Sequence, residues 1–154
     1  MDIVFDIDDT LFDSSARSHL YKGKDTDWPH FYAMSINDAP IVESVAILKA
    51  LYDSGHTILL ATGRHASARA VTIQKLRQHL IRYDKLYMRP NSDKISRNAQ
   101  IKMMLLQQMH KDGYRPSAVF EDNPHSCEAW MQSGLTVYKV LNGRKQTSDS
   151  SSCR

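Results

Sequence analysis

The stretch Phe5-Asp6-Ile7-Asp8-Asp9-Thr10-Leu11 constrains this chain more than any other, because an apolar run beginning at Ile3 ends abruptly in three carboxylates. A short apolar run of that kind is a buried strand. Residues two apart along an extended strand share a face, so Asp6 and Asp8 point to one spot while Ile7 stays buried. Two like charges held so close are costly unless a hard cation or a shared proton offsets them. Taken alone, the DxDxT pattern also fits an acidic turn.

Beyond this strand, short apolar runs alternate with helical spacings, as in a parallel sheet with crossover helices. Ile41, Val45, Leu48 and Tyr52 follow Pro40 at helical spacing, Gly55 ends that helix, and Thr57 to Ala61 make a second strand. A helix with Ile73, Leu76 and Leu80 on one face leads to a third strand, Leu86 to Met88, which Arg89 and Pro90 break; residues 91–97 read as a loop. The next helix carries Ile101, Met104 and Leu105 inward and stops at Gly113 before a fourth strand, Ala118 to Phe120. Pro124 opens a helix that runs to about Ser133, and Leu135 to Val140 form the fifth strand. The expected fold is a single α/β, Rossmann-like domain over residues 1–145, with a five-stranded, mainly parallel sheet flanked by helices. Residues 146–154 read as a flexible Ser-rich tail.

Residues 12–40 are the one stretch without clear periodicity, and they hold Lys22, Lys24, Trp28, His30, Phe31 and Tyr32. In open parallel sheets ligands bind outside the carboxyl ends of the strands, so this segment borders any site there. Its aromatics either form the loop's own core or contact a substrate by stacking.

Composition excludes several classes. At 154 residues, 42% hydrophobic and 24% charged, the chain suits one globular domain. No apolar run approaches the roughly 18 residues of a membrane helix, and the N-terminus lacks the pattern of a signal peptide, so a soluble cytoplasmic protein is expected. Cys127 and Cys153 are too few for a disulfide framework, and neither has a neighbouring His in a metal-ligand spacing. The net charge of +3 conceals a division: residues 64–115 carry 12 basic and 3 acidic side chains, against 4 and 10 in residues 1–63. A basic middle third suits a polyanionic partner, or else Arg69, Lys75, Arg77 and Arg82 are the solvated face of one amphipathic helix.

Three more elements fall where such a fold brings them to the edge that holds Asp6. Thr62-Gly63-Arg64 ends the second strand and offers a hydroxyl and a helix-start amide to a phosphate oxygen. Lys102 lies in the helix after the third strand, and Glu121-Asp122 ends the fourth as a second acidic pair able to complete a magnesium site with Asp6. Carboxylates, a lysine and a hard cation together suit phosphoryl transfer.

This order of FDIDDTL, ATGR, a helical lysine and VFEDN resembles the haloacid dehalogenase (HAD) superfamily over nearly the whole chain. The resemblance implies a magnesium-dependent phosphomonoesterase without a large cap domain. Asp6 would be the nucleophile that forms an aspartyl-phosphate, and Asp8 the general acid and base. Asp122, the Asp6 carboxylate and the Asp8 backbone carbonyl would hold Mg2+, with Glu121 acting directly or through water. Thr62 and Lys102 would hold the transferring phosphoryl group.

Within the superfamily the chain is most similar to the phosphatase domain of phage polynucleotide kinase/3′-phosphatase. Arg17 stands eleven residues after Asp6, Arg64 completes a strand-end [S/T]GR, and LYMRP precedes SDKISRNAQIK. Arg17, Gly63 and Arg64 would then face the substrate's phosphates; otherwise Arg17 is a solvated loop residue and Arg64 caps its helix. Two positions depart from the group's pattern: Asn98 replaces its aspartate, leaving Lys94 as a rival for the motif lysine, and Glu121 replaces the first aspartate of the acidic pair. The kinase loop GxxxxGK[ST] occurs nowhere in the 154 residues, so any kinase or ligase partner is a separate chain.

The implied reaction is removal of a terminal phosphate, a 3′-phosphate preferred, from a polynucleotide end in nucleic-acid repair. A small-molecule (deoxy)nucleotide phosphatase and an inert nucleic-acid-binding module are the alternatives. His65, His110 and His125 either tune a phosphate site or decorate helices.

Overall fold

An uninterrupted apolar run places β1 (Asp2–Phe5) at the centre of a sheet buried on both faces. Ile3 and Phe5 point to one layer and Val4 to the other, all at most 2% exposed. The computed structural model describes residues 1–144, and the expected Ser-rich tail with Cys153 lies outside the described residues.

After β1 come β2 (Phe12–Asp13), α1 (Trp28–Ala33), β3 (Ala39–Pro40), α2 (Val42–Asp53) and β4 (Thr57–His65). Then follow α3 (Arg69–Gln78), β5 (Lys85–Arg89), α4 (Asn98–Lys111), β6 (Pro116–Glu121), α5 (Pro124–Gln132) and β7 (Thr136–Lys139). The five-stranded sheet has the order β5-β4-β1-β6-β7, and every pairing in it is parallel. Leu48 of α2 and Leu76 of α3 pack on Phe5, Ile58 and Leu60 in one layer. On the other face, Ile101, Leu105 and Met109 of α4 and Trp130 of α5 pack on Val4, Leu59 and Ala61. Fully burying each such side chain contributes about 1.5–3 kcal/mol. The chain runs outward from β1 to β5 and then crosses to β6, so the strand order reverses beside β1, where open sheets of this kind bind ligands.

Residues 12–40 are more ordered than their lack of period suggests. The antiparallel pair Phe12↔Pro40 and Asp13↔Ala39 closes the segment at its base. Between these strands lie α1 and turns of 3-10 helix at Ser15–Leu20, Gly23–Asp25 and Met34–Asn37. This small cap rests on α3 through Lys75, whose ammonium donates to the carbonyls of Ile36 and Asp38. Lys75 is therefore 4% exposed and does not belong to a solvated helix face, whereas Arg69, Arg77 and Arg82 are exposed.

Other details also differ from the periodicity. Met104 points partly outward at 37% exposure, and the inward face of α4 is Ile101, Lys102, Leu105, Leu106 and Met109. The strand expected to end at Ala61 continues through Thr62-Gly63-Arg64 to His65, so these residues are not a helix start. Leu80 is 77% exposed because α3 stops at Gln78. The helix closes with the Ile81 amide donating to the Leu76 carbonyl at 3.0 Å and the Leu80 amide to Arg77 at 3.0 Å. That pattern puts Leu80 in the left-handed region at φ 55°, a position usually held by glycine. Ile81 rather than Leu80 then enters the core.

A left-handed leucine that buries nothing is strained by about 1–2 kcal/mol. Leu80→Gly is expected to stabilise the protein by up to about 1 kcal/mol, part of the relief being lost to greater freedom of the unfolded chain. Denaturant unfolding checks this, with Leu80→Ala as the control that should give no gain.

Candidate active site

Asp6 follows the last residue of β1 and extends its pairing, its amide donating to the Phe120 carbonyl at 3.0 Å. The chain then doubles back: the amides of Thr10, Leu11 and Phe12 converge on the Ile7 carbonyl, and Asp9 takes a left-handed conformation at φ 62°. The turn puts the Thr10 hydroxyl between two carboxylates, 3.4 Å from Asp6 Oδ2 and 3.3 Å from Asp122 Oδ1.

Lys102 reaches this point from α4. Its ammonium donates to Asp6 Oδ1 at 2.6 Å, Glu121 Oε2 at 3.0 Å and the Ala61 carbonyl at 2.7 Å, which accounts for all three of its hydrogens. Lys102 is 2% exposed, and although burial works against its charge, Asp6 and Glu121 hold its pKa above the usual lysine value. Lys94 is exposed on the rim of the cleft, so Lys102 and not Lys94 meets Asp6, and the Asn98 departure does not displace it.

Glu121 and Asp122 end β6 side by side in different environments. Glu121, 1% exposed, accepts from Lys102 and Trp130 Nε1 at Oε2 and from the Asp122 and Asn123 amides at Oε1. Burial opposes its charge, but Lys102 and these donors bring its pKa below the usual glutamate value. Asp122 lacks such an array, and burial, with Glu121 and Asp9 nearby, pushes its carboxyl up to about 6. Burial and Glu121 likewise raise Asp6 well above the usual aspartate range, against the pull of Lys102. Asp6, Glu121 and Asp122 each offer a carboxylate oxygen within 4.8 Å of the others, beside one ammonium. Hard oxygen donors with this excess of negative charge fit a magnesium ion.

Asp8 stands beside this group, gripped by two arginines. Arg64 donates to it through Nε at 2.8 Å and a terminal nitrogen at 2.7 Å, and Arg17 donates at 2.7 Å. Burial favours the neutral acid, yet Arg64 and Arg17 bring the Asp8 pKa down to about 2. Both arginines are buried and partnered. Arg17 also spans Asp38, at 3.1 and 3.0 Å, and lies 4.4 Å from the centroid of the Phe31 ring. Arg64 also donates to Ser35 and Thr72. Arg17 is thus no solvated loop residue, and Arg64 caps no helix.

Thr62 is 1% exposed and lines the cleft, its hydroxyl accepting from the Arg64 amide at 3.1 Å. Gly63 is tightly covered: a Cβ there would lie 2.5 Å from the Asn98 side-chain oxygen. Arg89 locks this contact by donating to the Gly63 carbonyl at 2.9 Å, Ser96 at 2.6 Å and Asn98 at 3.0 Å, so β4 and the start of α4 are tied together. His65 and His125 line the cleft, whereas His110 sits exposed near the far end of α4. Cys127 is partly buried under Glu121.

The chemistry-bearing residues expected from the motifs all line one open cleft of about 1480 Å³. Sequence reasoning missed the supporting residues Thr10, Asp38, Arg89 and Trp130. Only Thr10 carried a signal, as the last letter of DxDxT; the others act through contacts between distant segments.

The comparisons with known proteins agree with this geometry. No curated protein sequence matches the chain. Among solved structures, the Pnkp1/Rnl/Hen1 complex contains a chain 23% identical with a TM-score of 0.76, the match covering 90% of this chain and 45% of that one. The present chain therefore spans about half the length of that relative. The class C acid phosphatase from Bacillus anthracis with tungstate bound is 16% identical with a TM-score of 0.68, covering 92% and 66%. D,D-heptose 1,7-bisphosphate phosphatase from B. bronchiseptica, complexed with magnesium and phosphate, is 17% identical with a TM-score of 0.57, covering 96% and 86%. These likenesses show a shared HAD-like fold, while residues 1–144 match the phosphatase domain of polynucleotide kinase PNKP. With that match spanning every described residue, the chain belongs to the PNKP phosphatase-domain family of the HAD superfamily.

Proposed function

We propose that this HAD phosphatase is a magnesium-dependent phosphomonoesterase that removes terminal phosphate, preferably a 3′-phosphate, from polynucleotide ends by way of an aspartyl-phosphate on Asp6. The observation that carries the proposal is the convergence of Asp6, Lys102 and Asp122 at the carboxyl end of β1, with Asp8 two residues from Asp6.

Lys102 donates closely to Asp6 Oδ1 and the Thr10 hydroxyl lies farther off at 3.4 Å from Oδ2, so Oδ2 is the oxygen that attacks phosphorus. As the bond from Oδ2 to phosphorus forms, the bond from phosphorus to the leaving oxygen breaks, and that oxygen takes a proton from Asp8, which acquires it from solvent once a bound phosphate draws Arg17 and Arg64 from its carboxylate. A water molecule then attacks phosphorus, Asp8 accepts its proton, and the Asp6 carboxylate is released with inorganic phosphate. Asp6, Asp122 and the Asp8 carbonyl would hold Mg2+, which when bound neutralises charge developing on the phosphoryl oxygens. Glu121, with its own oxygens already taken, anchors Lys102 and completes the acidic cluster. Arg17 and Arg64 orient Asp8 and offset its charge toward a phosphate, and a bound dianion that shares these donors loosens their hold on the Asp8 carboxylate. Thr62 lines the same cleft, where its hydroxyl would donate to the transferring group.

The family match supports the polynucleotide substrate, as does a cleft rim that carries Lys24, Lys94 and Arg97. The Pnkp1/Rnl/Hen1 RNA repair complex contains a chain similar to this one, which supports an end-repair setting.

The primary test is phosphate release from a 3′-phosphorylated oligonucleotide, its 5′-phosphorylated counterpart and a 3′-mononucleotide, with and without magnesium. The 3′-phosphorylated oligonucleotide should be the best substrate, and equal or faster turnover of the mononucleotide would instead assign a nucleotide phosphatase. Asp6→Asn should lower kcat by at least about a thousandfold, because an amide cannot supply the attacking oxyanion. Lys102→Ala should cost about a hundredfold or more, and Lys94→Ala far less. The reverse ranking would reassign the motif lysine.

Magnesium should also stabilise the fold without any turnover. Binding to the native state alone adds RT ln(1 + [L]/Kd), about 2.7 kcal/mol at a concentration one hundred times Kd. Thermal melts should shift upward with magnesium and lose that shift in Asp122→Asn. An undiminished shift in the variant would place the ion elsewhere.

A further inference from the structure

The aromatic residues of the cap divide into two sets. Tyr32 is 6% exposed and belongs to the core, and Phe31 lies under the Arg17 guanidinium. Trp28 is only half-buried, packed near-parallel to Tyr32 with ring centroids 5.5 Å apart and tilted against His65 at 5.3 Å. Tyr21 is 60% exposed, its ring 6.1 Å from Trp28 and inclined at 58°. Both line the cleft that contains Asp6 and Asp8. A cap that needed these rings only for its own stability would bury them as it buries Tyr32.

Building on the phosphatase proposal, we propose that Trp28 and Tyr21 form a stacking subsite for the base of the nucleotide that carries the terminal phosphate. Every nucleobase presents a π-face, so aromatic side chains bind it whatever its sequence. Two backbone phosphates need cations at either end of such a nucleotide. Arg17 and Arg64 lie behind Asp8 at one end, and Lys24, Lys94 and Arg97 stand on the rim for the flanking chain. Trp28 and Tyr21 are specificity-determining residues in this arrangement, since an aromatic ring binds the base and not the phosphate.

The chain's two tryptophans give a readout independent of catalysis, because Trp130 is fully buried and Trp28 lines the cleft. In Asp6→Asn protein with magnesium, a 3′-phosphorylated oligonucleotide should quench tryptophan fluorescence saturably. The same oligonucleotide ending in an abasic 3′-phosphate should not. Turnover in the Asp6 protein should favour the base-bearing end over the abasic end by about 10- to 100-fold. Trp28→Leu should collapse that preference toward unity, Trp28→Phe should retain part of it, and Tyr21→Leu, at an exposed position, should lower it without a folding defect. Equal quenching by both oligonucleotides, or a preference unaltered in Trp28→Leu and Tyr21→Leu, overturns the subsite. Base-dependent quenching with no phosphate release from either oligonucleotide or from glycerol phosphate upholds the subsite and overturns the phosphatase proposal instead.

Discussion

The buried ammonium of Lys102 is the interaction on which the rest of the site depends. It joins α4 to Asp6 at the end of β1, to the Ala61 carbonyl in β4 and to Glu121 at the end of β6. Removing one partner of such a buried group costs about 3–5 kcal/mol, because the remaining charge stays away from water. Trp130 belongs to the same construction. It fills the core beneath α5 while its indole N–H satisfies Glu121, so packing on one face of the sheet fixes the acid that fixes the lysine. Burial, and after it the negative charge left in excess by one ammonium among Asp6, Glu121 and Asp122, raises the carboxyls of Asp6 and Asp122.

A second set of charges sits next to the first and works in the opposite sense. Around Asp6 carboxylates outnumber cations, whereas around Asp8 two arginines face one carboxylate and its pKa falls to about 2. Two aspartates two residues apart on one strand end are thus driven in opposite directions by neighbours drawn from different parts of the chain. These directions run opposite to the proposed roles, so a cation beside Asp6 and a phosphate sharing Arg17 and Arg64 would be what makes Asp6 the ionised nucleophile and Asp8 the proton donor.

How much of this was legible in the sequence follows from the range of the forces involved. The parallel sheet, its strand-end motifs and the grouping of Asp6, Thr62, Lys102 and Glu121-Asp122 rest on local periodicity and on strand ends that the topology brings to one edge. Leu80 departs from the ideal period because that period takes no account of where a helix stops, and the terminal turn hands its core position to Ile81; Met104 departs because the buried stripe of α4 is centred on Ile101, Lys102, Leu105, Leu106 and Met109. Lys75 looked like a solvated cation, since no local pattern reveals that the carbonyls of Ile36 and Asp38 lie within its reach. The Arg17–Asp38 pair and the Arg89 clamp join segments whose approach is set only by the finished fold.

The cap ties these observations together. Arg17 and Asp38 lie in the segment that β2 and β3 close, and Arg64 reaches from β4 to Ser35 in the same segment and to Thr72 on α3. The carboxylate of Asp8 is therefore oriented by the seating of the cap as well as by the sheet. A cap held from below through buried arginines and Lys75 has no need to fold over the cleft to keep its position. Its upper surface stays open, and on the proposed function a long chain would lie across the rim with only its end at Asp6. Access to the cleft and the orientation of Asp8 are in this way set by the same short segment, the first by what it leaves uncovered and the second by what it holds underneath.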